Sequence, residues 1–238
     1  MKNIITLCFL SLFFVSSANA QFGDLLKKGK DMITAKGEDR TAMGLKAALD
    51  EGVQSAVKQL AKENGFYDSP FRILVPEDAQ KVISKVKMVP GFQDVEEKLI
   101  TQMNQAAELA ADKAAPIFLD AIKNMTIKDG VNILMGEQDA ATVYLEDNTR
   151  RELYKEFLPV IRTNLEEVNA LTYWKSVVSA YNKIPFVKKQ NPELDDHVNN
   201  KALDGMFGLI EEKERGIRND KSIRNTELLQ EVFAKQDK

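Results

Sequence analysis

Three polar side chains on one predicted helix have the types and the spacing that could do chemistry. Asn104, Glu108 and Asp112 recur every four residues, so they share one face of a helix predicted from about Asp94 to Lys113. Two carboxylates can serve as general acid and base, or can hold a cation or a polar ligand. The same spacing is more often a solvated stripe, or a row of polar groups hydrogen-bonded to neighbouring helices.

The chain offers little else for catalysis or for metal binding. His197 is its single histidine and is not part of a Glu-x-x-His pair, so a histidine-based metal site is not expected. No serine stands in a G-x-S-x-G motif. Hydrolysis through Glu108 and Asp112 would lack a nucleophile or a metal, and we therefore expect no catalytic residue, no metal and no cofactor.

Two arginines near the end of the chain are further candidates. Arg218 and Arg224 flank a predicted turn and could clamp a carboxylate or a phosphate, although anchoring the last helix to the body is the favoured role. Glu214 precedes Arg218 by four residues, as Glu211 precedes Arg215, and such pairs usually lie on the surface.

We hypothesise that the polar face of the long helix converges with other polar residues on one site. A buried polar group must be paired, because leaving it unpaired costs about 1–3 kcal/mol. The candidate ligand-binding residues are Asn104, Glu108, Asp112, Tyr144, Arg218 and Arg224. If the face is structural, Glu108→Gln should lower stability; if it binds a ligand, that change should abolish binding instead.

The first twenty residues have the layout of a cleavable secretory signal. Lys2 supplies a positive charge, residues 4–15 are almost wholly apolar, and Ala18-Asn19-Ala20 is an A-x-A cleavage site. The apolar run is shorter than the roughly 20 residues that a membrane-spanning helix needs. We therefore expect export, with a mature chain that begins at Gln21 in the periplasm; release outside the cell is the alternative.

Composition limits the classes of partner and of chemistry. The chain has 33 Lys and Arg against 36 Asp and Glu, a net charge of −3, which argues against nucleic acid. Its one cysteine, Cys8, lies in the predicted signal, so no disulfide is expected in the mature chain. No second long apolar run follows, so we expect no stable membrane insertion after cleavage.

Apolar residues at helical spacing and local caps predict an all-α protein of about eight to ten helices. The first helix follows Asp39 or Thr41, the last carries Leu228, Leu229, Val232 and Phe233 on its apolar face, and Thr126–Asp129 and Thr149–Glu152 read as capping boxes. The predicted helices are Thr41 to Gly65, Pro76 to Met88, Asp94 to Lys113, Ile117 to Met125, Thr126 to Gly136, Ala140 to Leu145, Thr149 to Leu165, Leu171 to Ile184, Val198 to Arg215 and Asn225 to Phe233.

The helices are predicted to form a single irregular bundle. The only extended signal is a very short segment near Ile73–Val75, and no repeat or flexible linker divides the chain. Gly205 and Gly208 lie inside a helical pattern, which indicates close packing and not a phosphate cradle. We predict a signal peptide over 1–20, a flexible or partly helical lead over 21–40, and one helical domain over 41–238.

Several separated motifs resemble a known family. In chain order they are Met103 to Ala110, Ile117-Phe118 with Ala121-Ile122, Met125 to Ile127, Ile133-Leu134 with Gly136, Ala140 to Tyr144, Lys201 to Phe207, and the tail positions Glu214, Ile217-Arg218, Arg224, Leu228-Leu229 and Val232-Phe233. Together they resemble the bacterial envelope family catalogued as domain of unknown function 4197, over almost all of the mature chain.

That resemblance implies export and a helical fold, and it implies no established activity, substrate or partner. The chain departs from the family pattern at Gln105, where arginine is expected, and at Lys221 and Asn225, where proline and threonine are expected. If the family's arginine contacts an anionic ligand, Gln105 alters that site here.

Three function classes follow. The favoured one is an exported, non-catalytic binding or interaction module of the cell envelope, whose partner is an unknown envelope protein or a small apolar ligand held between helices. The alternatives are a hydrolase-like enzyme that uses Glu108 and Asp112, and a purely structural envelope protein. An apolar cavity would favour the first, a cleft holding both carboxylates the second, and a closed core the third.

Overall fold

Apolar residues at helical spacing do form helices along the chain. The computed structural model describes residues 37–76, 80, 83, 84, 87, 93–183, 185, 186, 189, 193–224 and 226–234. Over these residues there are eight α-helices and no strand, which confirms the predicted all-α class. The helices are α1 Gly37–Ala61, α2 Val95–Ala111, α3 Ala114–Asn124, α4 Ile127–Met135, α5 Ala140–Glu167, α6 Ala170–Tyr181, α7 Leu194–Asn219 and α8 Glu227–Phe233, with a 3₁₀ turn Lys221–Ile223 before α8.

Two predictions about the first part of the chain fall outside the described residues. These are the signal peptide with most of the lead that follows it, and most of the helix predicted from Pro76 to Met88. The first helix begins at Gly37, so Asp39 and Thr41 lie inside α1 and neither is its N-cap, contrary to prediction. From Thr41 onward the chain forms one compact unit.

The two longest central helices, α5 and α7, run antiparallel. Tyr154 contacts Asp196 and Arg162 contacts Asp195, whereas nearer the start of α5 Arg150 contacts Asp204. Helix α2 packs against both α5 and α7 with a buried face that includes four alanines, as its stripe of small residues predicts. The core around these helices also holds Trp174, and Phe118 and Phe207 meet edge to face with ring centroids 5.7 Å apart.

Helix α5 corrects one prediction. We expected a short helix from Ala140 to Leu145 and a second one capped by Thr149, but α5 runs unbroken from Ala140 to Glu167. Thr149 is buried, and its hydroxyl donates to the carbonyl oxygen of Leu145 one turn earlier, at 2.6 Å. A threonine that bonds back into its own helix has the same local sequence as a capping threonine. The Thr126–Asp129 capping box is confirmed, with both reciprocal hydrogen bonds present.

The connection after α1 lies against α7. A Cβ on Gly205 would come within 2.9 Å of both Phe66 and Phe71, and one on Gly208 would come within 2.5 Å of the Phe71 ring. The two glycines therefore allow close packing, as predicted. Ile73 and Val75 are buried in this connection, but residues 72–76 adopt no regular secondary structure.

Candidate functional site

The amide of Asn104 pairs with the backbone of the connection after α1. Asn104 is fully buried; its Oδ1 accepts from the Ile73 N–H at 2.9 Å, and its Nδ2 donates to the Ile73 carbonyl at 2.9 Å and to the Ile100 carbonyl at 2.7 Å. A side-chain amide thus satisfies both backbone groups of Ile73, as a neighbouring strand would. This explains why an extended sequence signal appears at Ile73–Val75 without a strand.

Glu108 binds the same connection one turn further along α2. Its carboxylate is buried and accepts three backbone N–H groups, from Asn64 at 3.2 Å, Phe66 at 3.2 Å and Tyr67 at 3.4 Å. Burial raises the pKa of Glu108, while the three N–H donors act in the opposite direction. Both carboxylate oxygens are therefore directed at the backbone.

Asp112 does not share this environment. It is exposed just past the last residue of α2, whereas Asn104 and Glu108 are buried. Glu108 and Asp112 therefore do not form a carboxylate pair within one cleft, which is the arrangement that the hydrolase alternative needs. The neighbouring Gln105, where the family pattern predicts arginine, is also exposed.

A second buried polar cluster surrounds Arg218. Its guanidinium donates to Glu214 through Nε at 2.9 Å and Nη2 at 2.8 Å, and to the Ile133 and Leu134 carbonyls at 2.8 and 3.3 Å. The side chains of Arg218 and Glu214 are only 2% and 6% exposed. The prediction that this i,i+4 pair lies on the surface was therefore wrong, because α7 brings it against the junction of α4 and α5. The Glu211–Arg215 pair one turn earlier lies at the surface, as expected, with side chains that are 33% and 58% exposed.

Arg224 anchors the end of the chain. It is buried, and its guanidinium donates to the carbonyls of Ile217 and Arg218 at the end of α7. Its own carbonyl accepts from Gln230 of α8, and the Phe233 ring lies 5.6 Å from its guanidinium carbon and 5.9 Å from that of Arg218. These contacts agree with the anchoring role that the sequence favours.

The apolar face of α8 is buried as predicted at the three positions whose side chains the structure describes: Leu229, Val232 and Phe233.

Tyr144 lies elsewhere, in a polar cleft of about 500 Å³ between α3, α4 and α5. We call this the Tyr144 cleft; its lining residues are Ile117, Asp120, Ala121, Asn124, Asp129, Tyr144, Asn148, Thr149 and Glu152. Tyr144 is half-buried. Burial raises the pKa of its hydroxyl, and the nearby Asp129 carboxylate raises it further by a smaller amount. The hydroxyl has no hydrogen-bond partner among the described residues.

Two asparagines of the Tyr144 cleft each donate one hydrogen bond within the chain. Asn124 donates to Asp120 at 3.1 Å, and Asn148 donates to the Tyr144 carbonyl at 2.7 Å. The Thr126 hydroxyl and N–H hold the Asp129 carboxylate and lower its pKa, with smaller contributions from Lys128 and Lys46. The charged groups of the lining are all carboxylates, whose oxygens accept hydrogen bonds.

An apolar cavity lies between α1, α7 and α8, beside the Glu214–Arg218 pair. Its lining includes Leu45, Leu49, Val53, Ile210 and Phe233. The volume is about 30 Å³, far below the roughly 300–1,000 Å³ of a ligand pocket. The cavity therefore offers little room for the small apolar ligand considered above.

The six predicted site residues lie in separate places. Asn104 and Glu108 hold the connection after α1, Asp112 is exposed, Arg218 and Arg224 lie near the end of α7, and Tyr144 lines its cleft. The structure thus does not bring them together as one convergent site. Sequence reasoning missed the acids that accompany Tyr144, because Asp120, Asp129 and Glu152 come from three helices with no common spacing.

Among the residues that the structure describes, no group of three or more His, Cys, Asp or Glu residues could hold a metal ion. His197 lies in the first turn of α7, where its Nε2 pairs with the Leu74 carbonyl at 2.9 Å. Among the same residues, no helix is both long enough and apolar enough to cross a membrane.

Over the described residues, the fold and its polar clusters define an all-α protein that joins distant helices through buried side chains and carries a ligand-sized acidic cleft. The chain belongs to the family described as Protein of unknown function (DUF4197), whose model matches residues 36–234. No curated protein and no solved structure matches the chain.

Proposed function

We propose that the protein is an exported, non-catalytic binding module that takes a cationic, amine-bearing ligand in the Tyr144 cleft. One observation carries the proposal: a cleft of ligand size is lined by three carboxylates and by a half-buried tyrosine hydroxyl that no described residue pairs. An ammonium group supplies three hydrogen-bond donors and a positive charge, which match these acceptors.

The contrast with the other polar clusters supports this choice. Asn104 and Glu108 direct their polar atoms at backbone groups of the chain, and Arg218 pairs with two backbone carbonyls and with Glu214, as structural side chains do. In the Tyr144 cleft, the Glu152 carboxylate has no hydrogen bond or ion pair with any described residue. Lys46, which contributes to the low pKa of Asp129, is itself bonded to the Lys123 carbonyl at 2.9 Å.

The test is isothermal titration calorimetry with two probes. Spermidine represents a free polyamine, and an acetylated tri-lysine amide represents a lysine-rich segment of a partner. Binding of either supports the amine chemistry, and the tighter probe identifies the source. Affinity should fall with added salt, because the cleft is open to solvent.

Matched variants locate the binding. Asp120→Asn with Glu152→Gln should weaken binding about tenfold, a loss of about 1.4 kcal/mol. Asp147→Asn with Glu156→Gln removes two exposed acids of α5 outside the cleft lining and should leave affinity unchanged. Equal affinity of the two double variants would contradict the proposal, and no binding of either probe would favour the purely structural alternative.

Export is tested separately. The A-x-A motif at Ala18–Ala20 motivates it, and the protein recovered from the periplasm should begin at Gln21. A recovered protein whose N-terminal residue is Met1 would refute cleavage.

A further inference from the structure

We propose that Glu214 and Arg218 form a clamp that sets the width of the Tyr144 cleft by tying the end of α4 to the start of α5. This assigns a positioning role to two residues that do not line the cleft. Its consequence for ligand affinity rests on the function proposed above, whereas its consequence for cleft geometry does not.

The first half of the clamp holds the start of α5. Glu214 Oε1 accepts from the Ala141 N–H at 2.9 Å, and Oε2 accepts from the N–H and the hydroxyl of Thr142 at 2.8 and 2.9 Å. Asp139, which precedes α5, makes no side-chain capping bond, so Glu214, 73 positions after Ala141, supplies the cap. A carboxylate at this end also interacts favourably with the helix dipole.

The second half holds the end of α4. Arg218 donates to the Ile133 and Leu134 carbonyls, which belong to the last turn of α4. The Ile133 carbonyl also accepts from the N–H of the C-cap residue Gly136 at 3.2 Å. The same guanidinium donates twice to Glu214. One ion pair therefore connects the carbonyl end of α4 to the amide end of α5, and each charge lies at the helix end that favours it.

The position of the clamp determines what it controls. Helix α4 contributes Asp129 to the Tyr144 cleft, and α5 contributes Tyr144, Asn148 and Glu152 from the turns that follow the capped residues. Residues 136–139 are the only covalent link between the two helices. A change in the angle between α4 and α5 would move Asp129 relative to Tyr144.

The surroundings make the clamp stiff. Phe233 of α8 lies over Arg218, and the apolar cavity lined by Leu45, Leu49 and Val53 borders both charged residues. Water is thereby largely excluded, and hydrogen bonds between charged groups are stronger in such an environment. The bonds are also mutually dependent, because either charge without the other would be buried and unpaired.

A merely stabilising role makes a different prediction. Stability alone would lower the folded fraction of a variant and leave the cleft of the folded molecules unchanged. A clamp requires that the folded molecules themselves show a wider or more variable distance between α4 and α5.

The experiment measures that distance by double electron–electron resonance. Spin labels are placed at the exposed positions Asn132 on α4 and Asp147 on α5, as Asn132→Cys and Asp147→Cys. The full chain carries Cys8→Ser, so the introduced cysteines are the only ones. The distance distribution is recorded in this background and with Glu214→Gln plus Arg218→Met, which removes both charges and so avoids a lone buried ion.

The chain supplies a matched control on the same helix. Glu211→Gln plus Arg215→Met removes an ion pair of the same types and spacing that is exposed. The clamp variant should broaden or shift the distance distribution, and without labels should bind spermidine about tenfold more weakly. The control should change neither.

Each outcome is decisive. If circular dichroism shows that the clamp variant is folded and its distance distribution is unshifted, the clamp is overturned. An equal shift in the control variant also overturns it. If the double variant does not fold, Arg218→Lys replaces it: lysine keeps the charge but lacks the planar set of donors that reaches Glu214 and both carbonyls. Arg218→Lys should broaden the distance distribution to a smaller extent than the double variant, and an unchanged distribution overturns the clamp. A shifted distribution in a protein that binds neither amine probe supports the clamp and refutes the proposed ligand.

Discussion

Glu108 and Glu214 are both buried, and each accepts hydrogen bonds from backbone groups far away in the sequence, yet their surroundings differ. Glu108 receives three N–H groups of an irregular connection and has no described cation beside it, so burial raises its pKa. Glu214 receives the first amides of a helix and two donors of Arg218.

The comparison shows two ways of keeping a buried carboxylate. At Glu108, the chain supplies only neutral N–H donors, so burying the charge still costs free energy. At Glu214, a guanidinium and a helix end stabilise the charge, but removing either member of the ion pair leaves the other charge buried and uncompensated. Variants at the two places should therefore differ in the size of their effect on stability.

The largest effect should follow truncation after Asn219, which removes α8 and the cover over Arg218. Leu229, Val232 and Phe233 are buried, and loss of buried Leu or Phe side chains costs about 2–5 kcal/mol each. We expect the free energy of unfolding in urea to fall by about 5 kcal/mol or more. Truncation after Ala234 is the control, and an unchanged midpoint after the longer truncation would contradict the docking of α8.

Amide hydrogen exchange connects that truncation to the comparison. Where the truncated protein remains folded, protection should fall at Ala141 and Thr142, whose N–H groups bind Glu214. Protection at Ile73, whose N–H binds Asn104, should change less. A uniform loss at both places would mean that the two regions open as one unit.

Arg218→Met should come next. It leaves Glu214 buried without its cation, and breaking a buried ion pair in this way costs about 3–5 kcal/mol. Arg215→Met on the same helix removes a guanidinium that is mostly exposed, and should alter stability by about 0.5 kcal/mol or less. Thermal unfolding followed by circular dichroism measures both, and similar melting temperatures would remove the distinction between the two pairs.

The same pairs show what could be predicted from the sequence. Helical periodicity predicts most helices, because the apolar stripe of an isolated segment is visible in its own residues. The capping box at Thr126 was predicted correctly, since all of its bonds lie within four residues. The capping box predicted from the similar pattern at Thr149 was wrong, because Thr149 faces the core within a helix that continues past it.

Burial of single polar residues could be predicted only in part. The spacing of Glu214 and Arg218 is visible in the sequence, but their burial depends on α7 passing the junction of α4 and α5. In the same way, the Tyr144 cleft is built by acids from α3, α4 and α5 whose spacing carries no common period. Tyr144 itself was predicted as a site residue, but in one site with Glu108 and Arg218, which lie in other clusters.

Asn104→Ala should have an intermediate effect. It leaves the N–H and the carbonyl of Ile73 buried without partners, which costs about 1–3 kcal/mol for each unpaired group. We expect a loss of about 2–4 kcal/mol in urea unfolding. The exposed Gln105→Ala is the control and should be nearly neutral. A small effect of Asn104→Ala would show that the connection holds Ile73 by its apolar packing alone.

Glu108→Gln should have the smallest effect on stability at neutral pH, and the size of this effect should depend on pH. Glutamine keeps one acceptor oxygen for the Phe66 and Tyr67 N–H groups but turns a donor toward the Asn64 N–H, so we expect a loss of about 1 kcal/mol.

The raised pKa of Glu108 means that the folded chain binds this proton more tightly than the unfolded chain. The contribution of the wild-type carboxyl to stability is then greatest at acid pH and declines as pH rises through its folded pKa. The glutamine does not titrate, so the stability difference between wild type and variant should narrow as the pH is raised from about 4 to 7. Parallel urea titrations at several pH values measure that difference, and titration of all other groups cancels between the two proteins. A difference that widens with pH would show that the three N–H donors outweigh burial and that the Glu108 carboxylate is stabilised in its charged form.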